Sequence, residues 1–148
     1  GTRAVSPDLE ISMTTNALGL ARTAHALKAA GMDRVNVSLD SVRPETFHAV
    51  TRRDRLHDVV EGLAAAAEAG LGPIKINAVL LRGYNDDQAP ELLRWCLEHG
   101  YDLRFIEQMP LDADEIFESR MELDVFVRLR FGRRPVLERN RFRLRVFL

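Results

Sequence analysis

Lys75 in "PIKINAVLL" and Arg104 in "YDLRFIEQM" place cations in the middle of otherwise apolar, strand-like runs. Successive side chains on a strand point to opposite faces. Lys75 therefore shares a face with Asn77, while Ile74, Ile76 and Ala78 take the other, and Arg104 is out of phase with Leu103 and Phe105. Two earlier runs alternate in the same way. Ser12, Thr14 and Asn16 share one face in the first, and Asn36, Ser38 and Asp40 share one face in "RVNVSLD". An unpartnered buried polar group costs about 1–3 kcal/mol, so four strands with one polar face each imply a polar ligand against that face. Two fixed cations favour an anion, and a guanidinium matches the geometry of phosphate. The same residues admit other readings. Neighbours or solvent can satisfy the polar row locally, and a strand-borne lysine suits Schiff-base chemistry, with Lys75 as an aldolase nucleophile.

Such a row needs a parallel sheet with its other face covered, and the surrounding pattern supplies one. "AAGMDRVNVSLD", "EAGLGPIKINAVLL" and "EHGYDLRFIEQMP" share a plan in which an amphipathic helix stops at a glycine and a strand follows. The clearest helix spans 54–69, with Asp54 as N-cap and Leu56, Val59, Val60 and Leu63 on one face. Others are expected near 18–30 and 87–99, with a short one in "PETFHAV" begun by Pro44. Strands are expected near 9–15, 34–40, 74–81 and 103–108. This α/β order predicts a partial (β/α) barrel of about four parallel strands with outer helices. A complete barrel takes about 250 residues, so the chain is read as the middle of something larger. Ser38, Asp40 and Met109 fall near the C-terminal strand ends, where such barrels keep their chemistry.

Composition sets the outer bounds. With 148 residues, 46% hydrophobic and 29% charged, the chain suits one globular domain with a real core. No apolar run has transmembrane length and no signal-peptide layout is seen, so the expectation is a cytoplasmic protein without membrane contact. The one cysteine, Cys96, cannot form an internal disulfide or hold a metal cluster by itself, and it reads as core. From Arg128 onward eight arginines face one acid, Glu138. Such a tail can touch nucleic acid or an acidic partner, but it carries no nucleic-acid-binding motif and reads as a solvated end, a final strand or a loose tail.

Taken together, "SMTTN", "AGMDRVNVSLDSVRPETFHAVTRRDRLHDVVEGLAAAAEAGL", "PIKINAVLLRGYNDD" and "LRFIEQMPL" resemble the radical S-adenosylmethionine (SAM) GTP 3′,8-cyclases of molybdenum cofactor biosynthesis. The likeness runs over about residues 9–112. It implies a partial radical SAM TIM barrel over 1–112 and a divergent, helical and arginine-rich tail over 113–148. It also implies a reaction: a 4Fe-4S cluster cleaves SAM reductively, the resulting radical takes a hydrogen from C3′ of GTP, and the ribose carbon joins C8 of guanine. By the resemblance Thr14, Lys75 and Arg104 contact GTP, and Ser38 and Met109 contact SAM.

The chain also departs from the family pattern. Neither the N-terminal three-cysteine cluster motif nor the C-terminal cluster cysteines are present, and Ala17 stands where the family has glycine after "TTN". The expectation is a central portion of such an enzyme, inactive alone, that pairs with the missing portions or with itself. The rival expectation is a non-catalytic remnant or binding module acting through the arginine-rich tail.

Overall fold

The computed structural model describes residues 8–106 and the backbone of a strand at 145–147. Met109 and the rest of 107–144, which includes most of the expected helical, arginine-rich tail, lie outside the described residues. Strands β1 (Ser12–Thr15), β2 (Arg34–Ser38), β3 (Lys75–Val79), β4 (Asp102–Ile106) and β5 (Arg145–Phe147) alternate with helices α1 (Leu20–Ala29), α2 (Pro44–Thr51), α3 (Leu56–Glu68) and α4 (Ala89–His99). All neighbouring strands are parallel and lie in chain order, β1-β2-β3-β4-β5. From β1 to β4 at least one helix intervenes between neighbours, which is the arrangement of a (β/α)-barrel wall.

Three helices end alike. Gly31, Gly70 and Gly100 have φ of 95°, 75° and 72°, a left-handed conformation that glycine adopts without a Cβ clash. In each case the amide beyond the glycine reaches back over the last turn: Met32 N to Leu27 O at 3.0 Å, Leu71 N to Ala66 O at 2.9 Å and Tyr101 N to Cys96 O at 2.9 Å. These Schellman closures satisfy the last carbonyls and turn the chain toward the next strand within a few residues.

The core lies between the helices and one face of the sheet. Val35, Val37, Ile76, Ala78, Leu103 and Phe105 meet Leu20, Ala24, Val59, Leu63, Ala66, Leu92 and Cys96, all buried. On α3 the buried residues Val59, Gly62, Leu63 and Ala66 follow helical spacing. Gly62 is where α3 comes closest to the turn between β1 and α1: a Cβ there would stand 2.7 Å from Ala17 O and 3.1 Å from Leu20 Cβ. Ala17 is itself buried with φ of 61°, a conformation costing a non-glycine residue about 1–2 kcal/mol. Its turn is tied by Ala17 N to Thr15 Oγ1 at 3.1 Å, Leu18 N to Asn16 Oδ1 at 3.1 Å and Leu20 N to Ala17 O at 2.9 Å. Position 17 thus holds a left-handed backbone.

Two expectations need correction. The strands are shorter than their apolar runs, because Leu39, Ile74 and Leu80 belong to the loops. Asp54 does not cap α3. Arg55 occupies the N-cap without a side-chain bond to the helix backbone, and Asp54 instead meets His48 Nδ1 at 2.7 Å. The acidic group at that helix start is Asp58, whose carboxyl is held below its ordinary value chiefly by the hydrogen bond from Arg55.

Candidate functional site

Register decides which polar residues stand together. Thr14 pairs with Asn36, Asn36 with Lys75 and Lys75 with Asp102, so these four form one row across β1–β4. One step nearer the C-terminal strand ends, Ser38 pairs with Asn77 and Asn77 with Arg104, giving a second row. Strand alternation puts both rows on the face opposite the helices. Four of the five residues expected to bind ligand therefore share one face. Thr14 and Lys75 flank Asn36, and Ser38 and Arg104 flank Asn77. Met109 lies outside the described residues.

This face is only partly covered. Thr14 and Ser38 are exposed, while Asn36, Lys75, Asn77, Asp102 and Arg104 are half-buried. Asn36 Nδ2 lies 3.5 Å from Thr14 Oγ1, a long contact. The amide oxygens Asn36 Oδ1 and Asn77 Oδ1 are buried and have no hydrogen-bond partner among the described residues. Buried acceptors are normally paired, so each row holds one acceptor with capacity left over. Asp102 belongs to this face but escaped the sequence reading, because β4 begins one residue earlier than its apolar run.

Asp40 was expected with the polar row at the strand ends, and the structure uses it differently. Its Oδ1 accepts from Val79 N at 2.8 Å, tying the loop after β2 to the end of β3. Burial pushes this carboxyl above its ordinary value, and the Val79 bond opposes the rise. Around it is a polar clasp that the sequence reading missed. Asn85, fully buried, donates through Nδ2 to Asp40 O and to Val79 O, both at 2.8 Å, and its Oδ1 accepts from Leu81 N at 2.6 Å. Gln88 Nε2 donates to Thr46 Oγ1 at 2.9 Å and Tyr84 O at 3.1 Å, and Gln88 Oε1 accepts from Ser41 Oγ at 2.6 Å. At the outer rim Arg43 pairs with Glu91 at 2.6 Å. In "RGYNDDQ" an asparagine reads as a turn former, and no local feature separates an exposed turn from a buried clasp.

No described helix is long and apolar enough to cross a membrane. Among the described residues no group of three or more His, Cys, Asp and Glu side chains could hold a metal ion. Cys96 lies on α4 in the core, with burial pushing its thiol up to about 12, so it is no ligand for an iron–sulfur cluster. The described residues thus do not fit the cluster. They do fit a polar small molecule: an exposed hydroxyl at Ser38 and an unsatisfied acceptor at Asn77 stand side by side.

A parallel (β/α) wall with its polar face turned away from the helices is the wall of a partial barrel, and the sequence profile of the radical SAM superfamily matches residues 2–96. The chain belongs to the radical SAM superfamily. Within it, the chain is similar to the GTP 3′,8-cyclase of Streptomyces coelicolor, 66% identical over 110 residues that cover 74% of this chain and 32% of that protein. The GTP 3′,8-cyclase of Paenarthrobacter nicotinovorans is 63% identical over 114 residues, covering 77% and 32%. GTP 3′,8-cyclase 2 of Mycobacterium tuberculosis is 54% identical over 139 residues, covering 90% and 39%. The chain spans about a third of the length of the curated relatives it matches.

Proposed function

We propose that these residues form the substrate-facing wall of a GTP 3′,8-cyclase in molybdenum cofactor biosynthesis. The observation that carries the reading is the register, which sets Thr14 with Lys75 and Ser38 with Arg104 in adjacent rows of one face. Lys75 and Arg104 hold the triphosphate charge, and the Arg104 guanidinium also fixes its direction. Thr14 contributes a hydroxyl from β1, across Asn36 from Lys75. Ser38, at the C-terminal end of β2, meets SAM, and Met109 offers it a polarizable apolar contact. In this superfamily an iron–sulfur cluster and SAM together supply hydrogen-abstracting chemistry, and the one cysteine of these 148 residues, Cys96, lies in the core. What this wall supplies is orientation. A reactive radical takes whichever hydrogen lies nearest, so the nucleotide must be held in one pose.

Calorimetric titration of the full chain with GTP tests the reading. Saturable binding is expected, and Lys75→Ala and Arg104→Ala are each expected to weaken it about tenfold or more. A wild-type chain that takes up no GTP, or variants that bind as it does, would overturn the assignment.

A further inference from the structure

Strands β2 and β3 separate just beyond the polar rows. Ser38↔Asn77 is their last register pair, and Leu39 N donates to Asn77 O at 3.0 Å. In a parallel ladder alternate residues of one strand both donate and accept, so Val79 is next in turn on β3. Its N–H goes instead to Asp40 Oδ1, and its carbonyl accepts from Asn85 Nδ2, both at 2.8 Å. The same Nδ2 donates to Asp40 O at 2.8 Å, while Asn85 Oδ1 accepts from Leu81 N at 2.6 Å. On its other side β3 stays paired with β4 as far as Val79↔Ile106. Strand β3 therefore keeps its course, and β2 is the one that leaves.

Further backbone bonds to β2 would satisfy Val79 without burying a side-chain amide. The sequence instead places a carboxyl group and a fully buried asparagine between the strand ends, and their bonds set the width of the gap. That gap opens at the C-terminal ends of the strands, where (β/α) barrels hold their ligands. Ser38 stands two residues before Asp40, and Asn77 two before Val79, so the width of the gap governs how far apart those two side chains stand. We propose that Asp40 and Asn85 are positioning residues, a polar wedge that holds the β2–β3 mouth at the width at which Ser38 meets its ligand. The inference rests on the proposed function, in which that ligand is SAM. The wedge acts unequally on the two rows. Ser38 adjoins it, whereas Thr14 and Lys75 lie in the deeper row, fixed by the pairs Thr14↔Asn36 and Asn36↔Lys75.

The test is equilibrium binding of SAM and of GTP to the full chain and to Asp40→Asn, Asp40→Glu and Asp40→Ala, each well below its own unfolding temperature. Asp40→Asn keeps an oxygen in place and removes the charge, whereas Asp40→Glu keeps the charge and moves the oxygen by a methylene. Asp40→Ala and Asp40→Glu are expected to weaken SAM by about three- to tenfold and to leave GTP unchanged. Asp40→Asn is expected to bind both ligands like the wild type, a rescue that a wedge allows and a charge contact does not. A carboxylate that touched the cationic SAM itself would reverse the order, and an Asp40→Asn variant weaker than Asp40→Glu overturns the inference. Unchanged SAM binding in Asp40→Ala and Asp40→Glu, which makes the wedge merely structural, overturns it as well. Equal weakening of SAM and GTP, a general loosening, does the same. Should a variant fail to fold, those that fold decide by the same comparison. In each of these cases GTP uptake by the wild type keeps the proposed function standing. A wild type that takes up no SAM overturns this inference, and one that takes up no GTP overturns the proposed function on which it rests.

Discussion

Asn77 and Asn85 are two amides on successive pieces of chain, used in opposite ways. Asn85 spends every hydrogen-bonding group it has: two donated bonds and one accepted bond at 2.6–2.8 Å fasten the loops after β2 and β3. Asn77 keeps its buried oxygen unpartnered among the described residues. The clasp and the sheet face are comparably polar, and what separates them is whether the polarity is satisfied from within. Satisfied polar networks fix geometry, whereas an unsatisfied acceptor keeps bonding capacity in hand.

The contrast is sharpest in what each amide contributes to stability. Asn85→Ala would strand Asp40 O, Val79 O and Leu81 N in half-buried loops, and unpaired buried groups cost about 1–3 kcal/mol each. A loss of about 3 kcal/mol or more is expected from the urea midpoint at constant m. A loss below about 1 kcal/mol would mean that the clasp is ornamental and that the contrast fails.

Asp40 gives a smaller, pH-dependent effect. Its folded carboxyl lies above the ordinary value because of burial, so the native state holds its proton more tightly than the unfolded chain does. Between the unfolded value near 3.8 and the raised folded one, the native state binds more protons and stability falls as pH rises. Asp40→Asn keeps an oxygen for Val79 N and removes the charge. The variant is expected to gain on the wild type as pH climbs through that window, with the difference flat below it. Denaturation curves from pH 3 to 7 check this, and a gap that widens toward acid would reverse the sign.

Asn77→Leu is expected to do least. With its buried amide oxygen unpartnered among the described residues, its unfolding free energy should stay within about 0.5 kcal/mol of the wild type or rise slightly. A loss above about 1 kcal/mol in the same urea experiment would place Asn77 with Asn85 among the structural amides.

Sequence reading succeeded where the physics is local. Glycines after apolar-periodic helices marked three chain reversals because only a left-handed residue closes a helix in that way. Strand alternation sorted the polar row because side-chain direction follows from residue parity. Register turned that sorting into neighbours, and no local pattern carries register. Asp54 was misread as a cap because its competitor, His48, belongs to another helix. The clasp was missed because Asn85 acts on Asp40 across a helix pair, and residue type alone does not reveal a partner that distant. The alternating arginines of "RFRLRVFL" left the last segment ambiguous between strand and tail. Pairing beside β4 resolves it for Arg145–Phe147.

Gly62 has a consequence for how this sequence can drift. Any side chain there meets a main-chain oxygen, Ala17 O, at 2.7 Å, and a main-chain atom cannot rotate aside as a side-chain tip can. Glycine inside a helix forgoes about 1 kcal/mol of propensity, so the residue is retained for closeness alone. Gly83 is the opposite kind of glycine: nothing lies within 4 Å of its missing Cβ, and its φ of +74° is the one restriction on it. Asparagine or aspartate can stand at 83, while position 62 can change only if the turn after Thr14 moves with it. Two positions far apart in the sequence are thereby bound to a shared evolutionary fate, and one of them adjoins the strand that carries Thr14.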